Sequence, residues 1–434
     1  MRLPPLRFGF PRLRRAQRYD VGFFRDCHRR IDAMLRPAIE FWKGAVDWDH
    51  GGFYGLIDYE GRPRPDADKD LVQQVRHLWT FSQIHRSEDD SPIIEAICDR
   101  QFEFIRDVFY SSARREFHSA VSFDGAPRPG EMHPYLLAFG ILGLSNYATA
   151  FAGKPSGRDA LHIAQTVFEK MVEKSYRTDS GFDETAYDGR WCVDAKEINT
   201  QMHVMEAITE LLEAARRHAD PHADRIASIL AHQLTLVATR GIVSRGSRYF
   251  CSRGYETDWT LVNVQEVDYG HDIEVVYLTM MAATALGREN EPAIVDPVIR
   301  LGRSVMEAAY DRSHGKWFYS GDPMTGRVIH RDSNIWANFE ALNGLSTLHR
   351  LTGEPEFVEK FESVLRWLES KQRNHAVGEW YYNVDHRGRP LASDVFGNDC
   401  AWMTFAWKSS YHSLRALMTG KQWLENVCST LDDA

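Results

Sequence analysis

Gly51-Gly-Phe-Tyr-Gly55 is a tight turn carrying two aromatic residues, and five segments of similar make follow it. They are Glu116-Phe-His-Ser-Ala120, Gly181-Phe-Asp-Glu-Thr185, Arg248-Tyr-Phe-Cys-Ser252, Lys316-Trp-Phe-Tyr-Ser320 and Glu379-Trp-Tyr-Tyr-Asn383. The leading aromatics, Phe53, Phe117, Phe182, Tyr249, Trp317 and Trp380, stand 64, 65, 67, 68 and 63 residues apart. So regular a period means one supersecondary unit used six times, each unit burying its apolar face on its neighbours. Six units can close into a ring with no terminal repeat left unpaired. The reading is therefore all-α: an (α/α)6 barrel, a toroid of six helical hairpins.

Between the turns, apolar residues recur three and four apart, as on one face of a helix. Lys196–Arg217 is the clearest case, with Ile198, Met202, Met205, Ile208, Leu212 and Ala215 in one stripe. The same period predicts helices at 20–43, 66–87, 92–110, 131–152, 158–175, 221–238, 265–286, 291–310, 333–351, 355–373 and 398–419, making twelve, two per repeat. Short β-hairpins with turn residues, such as Asp322-Pro-Met-Thr-Gly326 and Asp385-His-Arg-Gly-Arg-Pro390, part the two helices of a repeat. All should lie at one end of the ring. Length alone would suggest two or three domains, but no linker-like stretch divides the chain. Residues 20–420 read as a single catalytic barrel, 1–19 as a loose arm rich in arginine, and 421–434 as a C-terminal tail.

A formal net charge of −9 argues against nucleic acid or an anionic membrane as partner. No apolar run is long enough for a signal peptide or a membrane span. Six scattered cysteines without Cys-x-x-Cys spacing fit reduced thiols, hence a cytoplasmic location, and a monomer or homodimer is expected. Gly-x-Gly-x-x-Gly, Gly-x-Ser-x-Gly and His-Glu-x-x-His are all missing from the sequence, so no cofactor is expected. Gly321-Asp-Pro-Met-Thr-Gly326 begins like a phosphate-binding loop, but Arg327-Val328 stands where Lys-Ser/Thr is required.

Polar residues recur on the second helix of each repeat: Arg76; His133 and Tyr135; Asn199, His203 and Glu206; His271 and Glu274; Trp336 and Glu340; Trp407, Lys408 and His412. If the second helices form the inner ring, these side chains converge on a central funnel. A lone helical histidine is usually solvated or satisfied, and His133 is set aside on that ground. An unpaired buried polar group costs roughly 1–3 kcal/mol, so a whole ring of them points to binding or catalysis. His203-x-x-Glu206 and His271-x-x-Glu274 could share a metal ion, but di-iron bundles use the opposite order. A glutamate that orients its imidazole and raises its basicity is the better use; no metal is expected.

With these residues in view, the chain resembles the N-acylglucosamine 2-epimerase superfamily, and within it the cellobiose 2-epimerase branch. The resemblance runs from Gly51 to His412 and is carried by Asn199-Thr-Gln-Met-His203-Val-Met-Glu206, Tyr269-Gly-His-Asp-Ile-Glu274, the Trp336-to-Glu340 spacing and the Trp407-to-His412 spacing. It implies an (α/α)6 barrel and a metal-independent isomerase that inverts C2 of a reducing aldose, glucose or mannose in configuration. Ring opening exposes a carbonyl at C1, the C2 proton leaves, and a cis-enediolate forms whose oxyanion needs fixed cations or donors. By this resemblance His271 and His412 are the two acid–bases and Glu274 tunes His271. His203 assists ring opening or holds the C1 oxygen, Arg76 stabilises the enediolate, Asn199 and Glu340 position hydroxyls, and Trp336, Trp407 and Tyr135 line the sugar.

Three departures bear on the substrate: Ser409-Ser410 where the branch has Cys-Pro, Asn338-Phe339 where it has Gln-Ala, and Arg415-Ala-Leu-Met without the usual glutamate. A monosaccharide substrate is therefore as open as a disaccharide. An aldose–ketose isomerase of the mannose-to-fructose type would use the same enediolate. An inverting glycosidase would need two carboxylates about 6.5–9.5 Å apart, from among Glu184, Glu274 and Glu340. A sugar-binding protein would keep the tryptophans without needing paired bases.

Overall fold

The computed structural model describes residues 19–184, 196–262 and 264–432. Among them are twelve α-helices: α1 (Val21–Gly44), α2 (Leu71–Ser87), α3 (Pro92–Phe104), α4 (Pro134–Ala150), α5 (Pro155–Ser175), α6 (Ile198–Arg217), α7 (Ala223–Leu236), α8 (Tyr269–Ala285), α9 (Pro292–Ala309), α10 (Ile335–Thr352), α11 (Pro355–Trp367) and α12 (Tyr411–Asp432). Proline opens α3, α4, α5, α9 and α11, where its missing N–H costs nothing and its fixed φ suits the first turn. The predicted arm at 1–19 lies, apart from Tyr19, outside the described residues.

The even-numbered helices pack in succession from α2 to α12, and α12 returns to α2. Each odd-numbered helix covers the outside, with α1 lying on α12 to seal the seam. This explains the two kinds of sequence pattern. Outer helices such as α9 and α11 bury one stripe. The inner α4 is buried on every side from Pro134 to Thr149, so its periodicity is weak.

The recurring turns are hairpins whose second strand carries the buried aromatic: Phe117 faces Tyr110, Phe182 faces Tyr176, Trp317 faces Tyr310 and Trp380 faces Arg373. One polar side chain, at the fourth position of four inner helices, catches this backbone. Gln74 bonds both N–H and C=O of Phe53, Gln201 bonds the Phe182 carbonyl, and Asn338 accepts from the Trp317 N–H. In the fourth repeat Asp272 accepts from Cys251 in the same way. Cys251, not Tyr249, is therefore the structural counterpart of the other leading aromatics. The hairpin there is longer, and Tyr249 lies two residues earlier, partly exposed.

Inner helices start later than the apolar period predicts: α2 at 71, α4 at 134, α8 at 269 and α12 at 411. Three of the intervening segments are extended and pair with the next repeat. Lys69–Asp70 pairs with Ala120–Val121, Val267–Asp268 with Ser320–Gly321, and Ser333–Asn334 with Asn383–Val384. Single bridges, Lys196 to Tyr255 and Ile57 to Thr404, continue the belt. The hairpins thus gather at one mouth, as expected. At the other boundary α12 runs to Asp432, so residues 421–432 are barrel helix rather than tail. No helix of the described residues is long and apolar enough to cross a membrane.

Two buried histidines support this framework. His77 stacks on Phe53 at 4.1 Å and bonds Ser410 Oγ at 2.9 Å; His349 packs edge-on to Trp423. Burial pushes His77 down to about 3 and His349 to about 4. Both stay neutral when folded, whereas unfolded imidazoles charge near 6.5, so stability falls as pH drops below that value. The loss should be about 2 kcal/mol per histidine by pH 5. Thermal unfolding followed by circular dichroism should therefore show Tm declining steeply from pH 7 to about 5, with a shallower slope for His77→Gln.

Candidate active site

The N-terminal ends of the inner helices surround a cavity of about 430 Å³ at the hairpin mouth. Arg76, Tyr135, Asn199, His203, His271, Glu274, Trp336, Trp407 and His412 all line it. Glu206, Glu340 and Lys408 do not line it and are buried. His133 caps α4 and does not reach the cavity.

The two predicted acid–bases both lie against one indole. The His271 ring is 4.8 Å from that of Trp336, and the His412 ring 6.0 Å from it. The arrangement needs Gly270, since a Cβ there would meet the Trp336 ring at 2.3 Å. Each histidine has its Nδ1 turned to a carboxylate: His412 to Glu340 at 2.6 Å, His271 to Asp268 at 3.3 Å, and His203 to Glu206 at 2.9 Å. That leaves each Nε2 without a hydrogen bond among the described residues. Burial pushes His412 down to about 3 and His203 to about 4, against the pull of their glutamates, so both rest as neutral imidazoles.

Two sequence expectations are corrected here. Glu274 does not tune His271; Asp268 faces that ring, and Glu274 is turned to Arg415 at 2.5 Å. Glu340 does not position a hydroxyl; it holds His412 and Arg415. Spacing along one helix cannot choose between partners on the same helix and partners across the ring.

Arg415 is the centre that the sequence reading missed. Its guanidinium bonds Glu206 at 2.6 Å, Glu274 at 2.5 Å and Glu340 at 2.6 Å, and also reaches the Tyr411 hydroxyl. Burial opposes ionisation of Glu206 and Glu340, but Arg415 overrides it, and Glu340 is drawn down to about 2. Glu274, buried beside Glu340, is pushed well above the usual carboxylate range. Ligand atoms of Glu274, Glu340 and His412 lie within 4.8 Å of one another, and Arg415 bridges the two carboxylates of that group. The signal was present in the spacing: Arg415 stands one turn after His412, as Asp268 stands one turn before His271.

Arg76 contrasts with Arg415. It lies over the rings of Phe139 at 4.3 Å and Tyr411 at 5.1 Å, and its hydrogen bonds are long and go to neutral oxygens. They reach the Trp407 carbonyl at 3.5 Å and the Tyr135 hydroxyl at 3.4 Å, and Nε is unpaired among the described residues. Such a cation is well placed to meet a developing oxyanion. Trp407 lies in the loop before α12, half exposed, and not on a helix. Lys408 leaves the candidate set, because its ammonium is buried against Glu379. Tyr319, Asn334, Tyr382, Asn383, Asp394, Phe396 and Asn398 add to the rim from strands and loops that helical periodicity could not flag.

Among the departures noted above, Asn338 clamps a hairpin and Ser410 bonds His77, both fully buried. Neither touches the cavity, so neither bears on sugar size. The carboxylate pair of a glycosidase is likewise missing among Glu184, Glu274 and Glu340. Glu184 holds the start of α6 through Thr200 and the Glu197 N–H, and the other two share Arg415.

The family described as N-acylglucosamine 2-epimerase (GlcNAc 2-epimerase) matches residues 52–412. A cellobiose 2-epimerase of Ruminococcus albus is 26% identical over 396 residues, covering 88% of this chain and 94% of its own. The solved cellobiose 2-epimerase of Spirochaeta thermophila superposes with a TM-score of 0.80 at 26% identity, over 94% and 98% of the two chains. A D-mannose isomerase structure reaches 0.75 at 18% identity over 90% and 96%, which speaks to the fold alone.

Proposed function

The chain belongs to the N-acylglucosamine 2-epimerase family, and from that premise we propose that it inverts C2 of a reducing aldose through a cis-enediolate. As a member of that family it is an isomerase. The substrate proposed is a sugar of glucose or mannose configuration, free or at the reducing end of a disaccharide. The observation that carries the reading is the pair His271 and His412: both line one cavity beside Trp336, each with Nδ1 near a carboxylate.

The chemistry follows from those positions. His203 takes the anomeric hydroxyl proton and returns it to the ring oxygen as the pyranose opens. Nε2 of His412, neutral through burial, removes the C2 proton; the C2–H electron pair becomes the C1–C2 double bond and the carbonyl electrons move onto O1. Arg76 and the Tyr135 hydroxyl hold that oxyanion. Protonated His271 then delivers its proton to the opposite face of C2, and the carbonyl re-forms. In the reverse direction the two histidines exchange roles. Trp336 and Trp407 offer flat apolar surfaces to the pyranose, while Asn199 meets its hydroxyls.

Incubation with glucose, mannose, cellobiose and fructose in D2O, followed by NMR, tests this. Deuterium at C2 of epimeric aldoses is the expected result. Ketose as the accumulating product would replace the reading by aldose–ketose isomerisation, and monosaccharide released from cellobiose would replace it by hydrolysis. Activity should survive EDTA.

A further inference from the structure

Asp268 ends the short strand before α8, paired with the fourth-to-fifth repeat crossing, one helical turn ahead of His271. Its carboxylate is almost fully buried at the cavity wall. The Arg253 guanidinium grips both of its oxygens, Nε at 3.0 Å and Nη2 at 2.5 Å. The oxygen bonded by Nε also lies 3.3 Å from His271 Nδ1. Arg253 is itself fixed from the rim, under the Phe396 ring at 5.6 Å, with Glu266 at 3.8 Å. Other groups around His271 are already committed: Glu274 to Arg415, and His412 to Glu340. Burial opposes the charge on Asp268, but His271 and Arg253 prevail and draw it down to about 2, so it is an anion at working pH.

A carboxylate locked by a bidentate guanidinium cannot rotate to follow the imidazole, so the imidazole must follow it. An anion at Nδ1 fixes the tautomer with the proton there and the lone pair on Nε2. We propose that Asp268, clamped by Arg253, is the positioning residue of His271, keeping the ring proton on Nδ1 and aiming Nε2 at C2. This rests on the two-histidine reading above. It gives His271 the counterpart of what Glu340 does for His412, with Arg253 in the place of Arg415.

The test is Asp268→Asn, with Asp268→Glu as the conservative variant and near-native circular dichroism required of both. Asn should lower kcat about 10- to 100-fold with KM changed less than about threefold. Glu should recover part of kcat. A rise in KM at unchanged kcat would overturn the proposal and make Asp268 a substrate ligand. Side-chain nitrogen NMR of histidine-labelled protein, with His271 assigned by His271→Gln, reads the tautomer without turnover. Nδ1–H in the parent and a mixture in Asp268→Asn is the expected result. An unchanged tautomer overturns the positioning role even if the sugar reaction proves to be another one.

Discussion

Arg415→Met should cost about 3–5 kcal/mol of stability, the range for stripping a buried ion pair of one partner. Removing the guanidinium leaves Glu206, Glu274 and Glu340 facing one another in a dry interior. Burial and Glu340 already push Glu274 upward, and the other two would follow it. Their folded pKa values would then lie above the unfolded ones, a contribution that is full in mild acid and is lost as pH rises. The buried neutral histidines, which both proteins keep, act in the reverse sense. Urea titrations of both proteins at pH 5.5 and 8 should show the variant gaining less stability with rising pH than the parent. Adding Glu206→Gln to Arg415→Met should return part of the stability without restoring turnover, since His412 would still lack a properly anchored Glu340. A variant as stable as the parent at pH 8 would mean that the carboxylates find another counter-charge.

His412→Asn should lower kcat by about 10²–10⁴-fold, the usual worth of a general acid–base, with thermal stability nearly unchanged. The two-sided mechanism makes a sharper statement than loss of rate. With one imidazole gone, the remaining His271 still reaches one face of C2. A sugar presenting its C2 proton to that face should keep slow exchange with D2O while its configuration no longer inverts. The epimer presenting the other face should neither exchange nor invert. Measuring deuterium at C2 separately in glucose and mannose resolves the two. Equal loss of exchange in both epimers would mean that the histidines act in series on one face. Glu340→Gln should follow the same pattern more mildly, because the Nδ1 partner remains but its charge does not.

How much of this was legible from the chain depends on what each residue answers to. The repeat was legible because a hairpin must bury its aromatic at the same place every time; the exception, Cys251, escaped because Tyr249 and Phe250 sit beside it. The cavity side chains were legible because a ring of histidine, arginine and glutamate on apolar helices has few structural excuses. Their partners were not. Glu274 and Asp268 are equally spaced from His271 along the chain, and only the closure of the ring, which brings Arg415 onto α8 and Arg253 onto the strand before it, decides between them. Helix starts were misjudged where residues such as Lys69–Asp70 and Val267–Asp268 pair with the next repeat, a choice fixed by tertiary structure rather than by local propensity.

The seam between α1 and α12 carries a consequence for biosynthesis. Of the twelve helices α12 is translated last, yet it brings His412, the keystone guanidinium and the surface on which α1 rests. A nascent chain lacking it would hold eleven helices with an open slot and uncompensated acids facing that slot. Until α12 emerges the cavity lacks one of its histidines, and the apolar faces left uncovered make the partial ring prone to aggregation.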